Sequence, residues 1–325
     1  MIDPAGHYHS GYPCYEHAPA PYTYGTLPDL LNSQTNPPIS WKYYTPEVLP
    51  SGDIASGLWV APIAIGHLCK KGSDNKCDGL LPGGQYANNM RYETDQNPYP
   101  IMDDIDACQL AGVSWVIPDK AWSDHGGEEP NGLGPAYVAN IVNAIGENTA
   151  CKDTVNGKQY SYWQDTAIFI TWDDWGGWFD HVPPFKVGGQ SNGWGASYTY
   201  GFRVPLLVVS AYTKAHYVSG AISGPPSYPP PAVFTHDFGS ILAFTENNFS
   251  IPIGSIGSQQ YPFADNWAPE LAAGAGVVPL ADFFQFPYRD FTPIPVPAGR
   301  DKTYFQNYFR NHPTETPDGP DANDD

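Results

Sequence analysis

Between Thr166 and Phe185 the chain reads TAIFITWDDWGGWFDHVPPF, and no other run constrains the fold as strongly. A short apolar segment, Ala167 to Ile170, ends on two adjacent carboxylates, Asp173 and Asp174. Gly176 and Gly177 follow, then Asp180 beside His181. β-Branched and aromatic residues in so short a run predict a buried strand. Carboxylates at its C-terminal end lie where open α/β sheets bind ligands, and the glycine pair lets the backbone turn sharply away. Two adjacent anions repel, so a cation, a lysine or arginine, a proton or water must compensate them. Few basic residues lie nearby in sequence, which puts a divalent metal first. The competing reading is a solvated strand end followed by a plain turn. The density of Trp172, Trp175, Trp178 and Phe179 around the acids argues against it and predicts the walls of a site.

With 325 residues the chain can bury a sizeable core, as one large domain or two smaller ones. Its 15 Lys and Arg against 34 Asp and Glu give a net charge of −19. That balance opposes nucleic-acid binding, which needs a basic footprint, and an electrostatic grip on anionic lipid. A phosphate-bearing substrate would need a bound metal to invert the local field. The C-terminal ETPDGPDANDD is acidic and Pro-containing, so residues 313–325 are expected to form a disordered tail after one domain over 1–312. No apolar run is long enough to span a bilayer. The first residues lack the basic start and apolar core of a signal peptide, which by itself implies cytosol. Cysteine usage pulls the other way. Cys69 and Cys77 bracket a polar loop, a natural span for one disulfide, while Cys14, Cys108 and Cys151 remain. The odd count leaves at least one thiol without an internal partner, and one explanation is a partner upstream, in sequence the chain lacks.

Alternating strand and helix patterns, without repeats or a clear linker, favour an α/β layer fold. Thr26–Gln34 reads as a helix with Thr26 as N-cap, ISWKYYTP as a strand, and Trp59 to His67 as a helix or loop leading into the Cys69–Cys77 excursion. Val113–Pro118 is a strand followed by the loop DKAWSDHGGEEPNG. In PAYVANIVNAIGEN, Val138, Ile141, Val142 and Ile145 recur at roughly helical spacing. Val204–Tyr212 is a second buried strand, and Thr235–Phe249 a helix with Asp237 near its start. From Ser250 onward, Pro and Gly predict loops.

The segments GTLPDLL…ISWKYY, VSWVIPDKAWSDH, TWDDWGGWFDHVPP, GFRVPLLVVSAYTK and THDFGSILAFTENNF together resemble, in order, blocks of the bacterial-type phosphoesterase family. Phospholipases C and acid phosphatases of the alkaline-phosphatase-like superfamily belong to it. The resemblance runs from about Cys14 to about Phe291. It implies a three-layer α/β/α sandwich, a secreted or periplasmic setting, and hydrolysis of phosphate esters or phospholipids.

Carried over residue by residue, the family's acidic metal pair falls on Asp173 and Asp174. Many members have Asp-Glu there, so the second carboxylate of this chain is shorter in reach. Family histidines that line the phosphate site fall on His125, after the VSW strand, and on His67 in AIGHL. His181 in DHVPP serves equally as part of a structural turn, with Asp180 accepting loop amides. His236 reads as a helix-start residue, and Arg203 as the partner of an internal acid. The family's N-terminal strand with its Glu-Asn metal pair in ENRSFD has no equivalent, and the Ser or Thr nucleophile precedes the matching segment. Ser10 is the nearest hydroxyl by position, in surroundings unlike the nucleophile motif. The resemblance therefore covers the C-terminal portion of a family member, and an unpaired sheet edge, poor solubility or oligomerisation is expected.

In intact relatives the implied chemistry is in-line attack on phosphorus by a metal-activated hydroxyl, with a phospho-enzyme that water then cleaves. His125 and His67 would donate to phosphoryl oxygens or protonate the leaving group. Carboxylate ligation favours Mg²⁺, Ca²⁺ or Mn²⁺, and a ligating histidine would admit Zn²⁺. Two other readings are a catalytically incomplete remnant with weak metal binding, and a carbohydrate- or lipid-binding module built on the aromatics.

Overall fold

Asp29 accepts both the amide and the hydroxyl of Thr26 at 2.7 Å, fixing the start of α1 (Leu27–Ser33) where Thr26 is expected to cap it. The computed structural model describes residues 25–35, 37–46, 60–73, 76–94, 96–125, 131–184, 186–187, 198–219, 236–253 and 277–313. They form two compact units, one from Ile39–Tyr162 and the stretch from Thr292, the other from Tyr24–Pro38 and Trp163–Phe291.

The first unit is built on a parallel sheet. β1 (Trp41–Thr45) leads through α2 (Gly66–Cys69) to β2 (Met90–Tyr92), and through α3 (Pro100–Asp106) to β3 (Val113–Val116). The strand order is β2-β1-β3, with Tyr43 opposite Met90 and Trp41 opposite Val113. Parallel neighbours require crossover connections, and α2 and α3 lie on them. This bears out the α/β reading, and the ISWKYY and VSWV strands fall where the sequence predicts them.

Asp104 of α3 holds that sheet to its helix. With its side chain 2% exposed, it accepts Lys42 Nζ and Tyr44 Oη at 2.8 Å and Arg91 Nη2 at 3.0 Å. A buried carboxylate needs such partners, because isolated it would carry a large desolvation penalty. Burial, reinforced by the bond to Asp104, pushes the Tyr44 hydroxyl far above the ordinary phenol range.

The helix predicted around Val138–Ile145 is α4 (Leu133–Glu147). It buries Ile141, Val142 and Ile145, while Val138 is half-buried. Beside it, buried Trp122 meets the rings of Tyr137, Phe305, Tyr308 and Phe309 at 5.6, 5.4, 5.1 and 5.7 Å. A hairpin of β4 (Lys152–Val155) and β5 (Lys158–Ser161) turns at Asn156-Gly157, both with positive φ as such a tight turn requires. Two disulfides join Cys69 to Cys77 and Cys108 to Cys151. The first is the expected pair. The second joins two of the cysteines that spacing left unassigned, and Cys14 lies outside the described residues.

A single turn, α5 (Tyr162–Asp165), precedes β6 (Ala167–Thr171), the first strand of the second unit. After a short antiparallel pair, β7 (Lys186–Val187) and β8 (Tyr198–Thr199), comes β9 (Leu206–Ser210). β9 runs antiparallel to β6, with Ile170 opposite Leu207 and Phe169 opposite Val208. α6 (Phe238–Asn248) starts on a capping box in which Asp237 Oδ1 accepts the Ser240 amide at 3.0 Å and Ser240 Oγ accepts the Asp237 amide. It lays Phe244 against Phe169 at 5.2 Å, so one face of the ribbon is covered.

The expectation that β6 and β9 are buried strands is corrected. Residues 167–170 are half-buried and Leu207 is 54% exposed. The period of two puts Leu207 and Ile170 on the face opposite Phe169, which α6 does not reach. The predicted loops after Ser250 are also corrected at their end. α7 (Lys302–Gln306) and α8 (Tyr308–Asn311) are helical and place Phe305, Tyr308 and Phe309 in the Trp122 core of the first unit. Ser10 and residues 314–325 lie outside the described residues.

Candidate functional site

Thr171 closes β6 by donating its hydroxyl to the Pro205 carbonyl at 2.9 Å, which fixes the strand end against the start of β9. Asp173 and Asp174 follow immediately and are exposed. Asp174 Oδ1 accepts the Gly176 amide, an Asx turn that starts the reversal. Gly176 and Gly177 complete it at φ 64° and 72°, a region that a β-carbon makes costly. The adjacent pair therefore stands at the C-terminal end of a strand, on a turn built from local hydrogen bonds and glycine conformations.

Three of the four aromatic residues expected to wall the acids are exposed, and Trp172 is half-buried. Trp178 and Phe179 are 71% and 83% exposed, and Trp175 is exposed as well. Trp175 lies over Gly201, where a β-carbon would come within 2.5 Å of its ring, and meets Phe202 at 6.1 Å. Phe179 also meets Phe202, at 5.6 Å.

The far side of the loop is anchored by charge. Arg203 donates from Nε to Asp180 Oδ2 at 2.7 Å and from Nη2 to Asp180 Oδ1 at 3.0 Å. This is the internal acid pair predicted for Arg203, in the two-pronged geometry that a guanidinium and a carboxylate share. Asp180 also accepts the Val182 amide at 3.2 Å. The Arg203 hydrogen bond holds the Asp180 carboxyl far below the usual carboxylate range, and Asp180 in turn raises Arg203. His181 is 86% exposed and stands 3.4 Å from Asp180 Oδ1, so DHVPP acts here as a turn.

His67 and His125 belong to the first unit and the two aspartates to the second. His67 is half-buried on α2, two residues before the Cys69 disulfide. His125 ends a loop whose path is set locally. Asp119 Oδ1 caps the short helical turn Lys120–Trp122 by accepting the Ala121 amide, and Ser123 Oγ accepts the His125 amide at 3.1 Å. Asp124 takes φ 57°, with its carboxylate so close over Gly134 that a β-carbon there would lie 2.5 Å away. Partial burial pushes the Asp124 carboxyl up. Among the described residues, no three or more His, Cys, Asp or Glu side chains converge as a metal-binding group.

One cluster escaped sequence reasoning. His236, just before α6, places Nε2 2.6 Å from Ser219 Oγ, and Ser219 donates to Asp282 Oδ2 at 2.6 Å. Tyr217 donates to the same oxygen at 2.9 Å. A serine hydroxyl has one proton, and the carboxylate takes it, so His236 must be the donor to Ser219. That is the reverse of the polarity a nucleophilic serine needs, and the cluster reads as a structural knot. Burial pushes Asp282 up, but the hydrogen bonds from His236, Ser219 and Tyr217 outweigh it and hold the carboxyl below its ordinary range. His236 at a helix start was legible. Ser219 lies 17 residues from it, and Asp282 lies 63 residues from Ser219, so the partners carried no local signal.

Comparison with known proteins places this geometry in context. Non-hemolytic phospholipase C of Burkholderia pseudomallei is 26% identical over 345 aligned residues, covering 96% of this chain and 43% of that protein. Phospholipase C B of Mycobacterium tuberculosis is 30% identical over 133 residues, 36% of this chain and 23% of that protein. Non-hemolytic phospholipase C of Pseudomonas aeruginosa is 23% identical over 171 residues, 46% of this chain and 21% of that protein. The chain thus spans less than half the length of these relatives. The model of the Phosphoesterase family matches residues 3–252, most of the sequence and all of the acidic strand end, and the chain belongs to that family.

Proposed function

We propose that the chain takes part in hydrolysis of phosphate esters, with phospholipids as the substrate class, and that Asp173 and Asp174 supply the carboxylates of a divalent-cation site. The observation that carries this reading is the position of the two acids at the C-terminal end of β6, in a chain of the phosphoesterase family. Two adjacent exposed carboxylates suit a hard cation in kind, favouring Mg²⁺, Ca²⁺ or Mn²⁺ over Zn²⁺. In number they fill only part of a coordination sphere, so water, substrate oxygens or residues beyond this pair complete it. When bound, such a cation neutralises charge on phosphoryl oxygens.

The protein's own contribution at this strand end is placement. The Asp174–Gly176 turn and the Arg203–Asp180 fork hold the acidic loop from both sides, and among the described residues no lysine or arginine pairs with Asp173 or Asp174. On the family resemblance, His67 and His125 donate hydrogen bonds to phosphoryl oxygens or the leaving group. The same resemblance supports a three-layer sandwich of alkaline-phosphatase-like type. Two disulfides support an oxidising, secreted or periplasmic setting. Among the described residues no helix is long and apolar enough to cross a membrane.

The test is hydrolysis of a chromogenic phosphomonoester and of phosphatidylcholine, with and without chelator, alongside calorimetric titration with each divalent cation. Chelator-sensitive turnover that Asp173→Asn abolishes supports the reading. A well-folded sample that turns over no phosphate ester overturns it for this chain.

A further inference from the structure

We propose that Trp178 and Phe179 form a docking contact for the surface of a zwitterionic phospholipid layer, an inference that rests on the phospholipid reading of the acidic site. Two large apolar rings side by side on one loop, 71% and 83% exposed, are the residues a soluble chain would ordinarily bury. They are not frayed ends of a floppy segment. The Asp174–Gly176 turn lies before them and the Arg203–Asp180 fork directly after, so the loop is tied on both sides and presents the rings outward. Phe202, against Phe179 at 5.6 Å, backs the contact from beneath.

Charge selects the partner. At −19 the chain is repelled by anionic lipid, so a surface that receives this loop must be attracted by something other than basic side chains. Tryptophan beside phenylalanine meets that requirement, since the indole settles at the headgroup boundary and the phenyl ring enters the acyl region. A neutral choline- or ethanolamine-type surface is the one these features fit. Position links the contact to the chemistry, because Trp178 follows Asp174 by only a few residues on the same turn. A layer that receives the rings would therefore bring its phosphate-bearing headgroups to the acidic strand end.

The experiment is co-sedimentation of the full chain with phosphatidylcholine vesicles, and with vesicles in which part of the lipid is phosphatidylserine. Vesicle binding is read directly and needs no turnover. Trp178→Ala with Phe179→Ala is expected to weaken binding to neutral vesicles by about tenfold or more. Trp178→Phe should retain most of it, and Phe286→Ala, an exposed ring elsewhere, should leave it unchanged. Absence of vesicle binding by the unaltered chain, binding that survives the double substitution, or binding that strengthens with anionic lipid overturns the proposal. A self-associated form that the double substitution dissociates assigns the rings to a second copy and overturns it as well. Turnover of a short-chain phosphatidylcholine below its micelle concentration tests the substrate reading separately. If that turnover is present without vesicle binding, the docking contact falls and the phospholipid reading stands.

Discussion

Arg203 holds Asp180 with two prongs, Nε to Oδ2 at 2.7 Å and Nη2 to Oδ1 at 3.0 Å, and so fixes the return of the loop that carries Asp173 and Asp174. An ion pair this exposed contributes about 1 kcal/mol or less to global stability. Its geometric effect is larger. Arg203→Ala is expected to leave the melting temperature nearly unchanged but to cut phosphate-ester turnover about ten- to a hundredfold, the scale of a misplaced site. Arg203→Lys keeps the charge and loses the fork, and should resemble Arg203→Ala more than the native chain. Paired thermal melts and initial rates check both.

The same pair sets an acid limit. The Asp180 carboxyl is depressed when folded, above all by the Arg203 hydrogen bond. A depressed folded value means the contribution is complete above the ordinary carboxylate value of about 3.9 and is lost as the pH falls below it toward the folded value. Asp282 is depressed in the same direction and adds to the same loss. The small difference in melting temperature between the native chain and Asp180→Asn should therefore be widest near neutral pH and vanish in acid.

The Ser219–His236–Asp282 knot is expected to behave as structure. Asp282→Ala leaves the donors of Ser219 and Tyr217 without their acceptor, at a cost of about 1–3 kcal/mol. Ser219→Ala is milder, since His236 Nε2 already lies 3.6 Å from Asp282 Oδ2 and can close on it. Urea denaturation measures the difference. A fluorophosphonate that labels serine nucleophiles should leave Ser219 unmodified, because its proton is committed to Asp282.

The two disulfides should differ in weight. Cys108–Cys151 closes a separation of 43 residues and Cys69–Cys77 one of 8. On the chain-entropy account the longer loop contributes about 1.5 kcal/mol more. Replacing Cys108 and Cys151 together by Ala should lower the midpoint of denaturation more than replacing Cys69 and Cys77.

Periodic and capped segments were legible because their causes are local. ISWKYY and VSWV became β1 and β3. Asp237 stands at the start of α6 as expected, and Ile141, Val142 and Ile145 turned to the core of the first unit as their spacing predicts. The C-terminal helices escaped because each spans little more than a turn and is marginal alone. Packing of Phe305, Tyr308 and Phe309 around Trp122 holds them, and that contact joins residues far apart in sequence.

At the acidic strand end, the sequence by itself determined the strand, the reversal and the adjacent carboxylates. Branched residues, an Asx side chain and two glycines act over a few neighbours. Tertiary structure alone decided which way the aromatics face and that only one face of the β6–β9 ribbon is covered. It also decided the partners of Arg203 and His236. Those outcomes depend on side chains tens of residues apart finding one another, where burial and hydrogen-bond geometry choose among pairings that composition leaves equivalent.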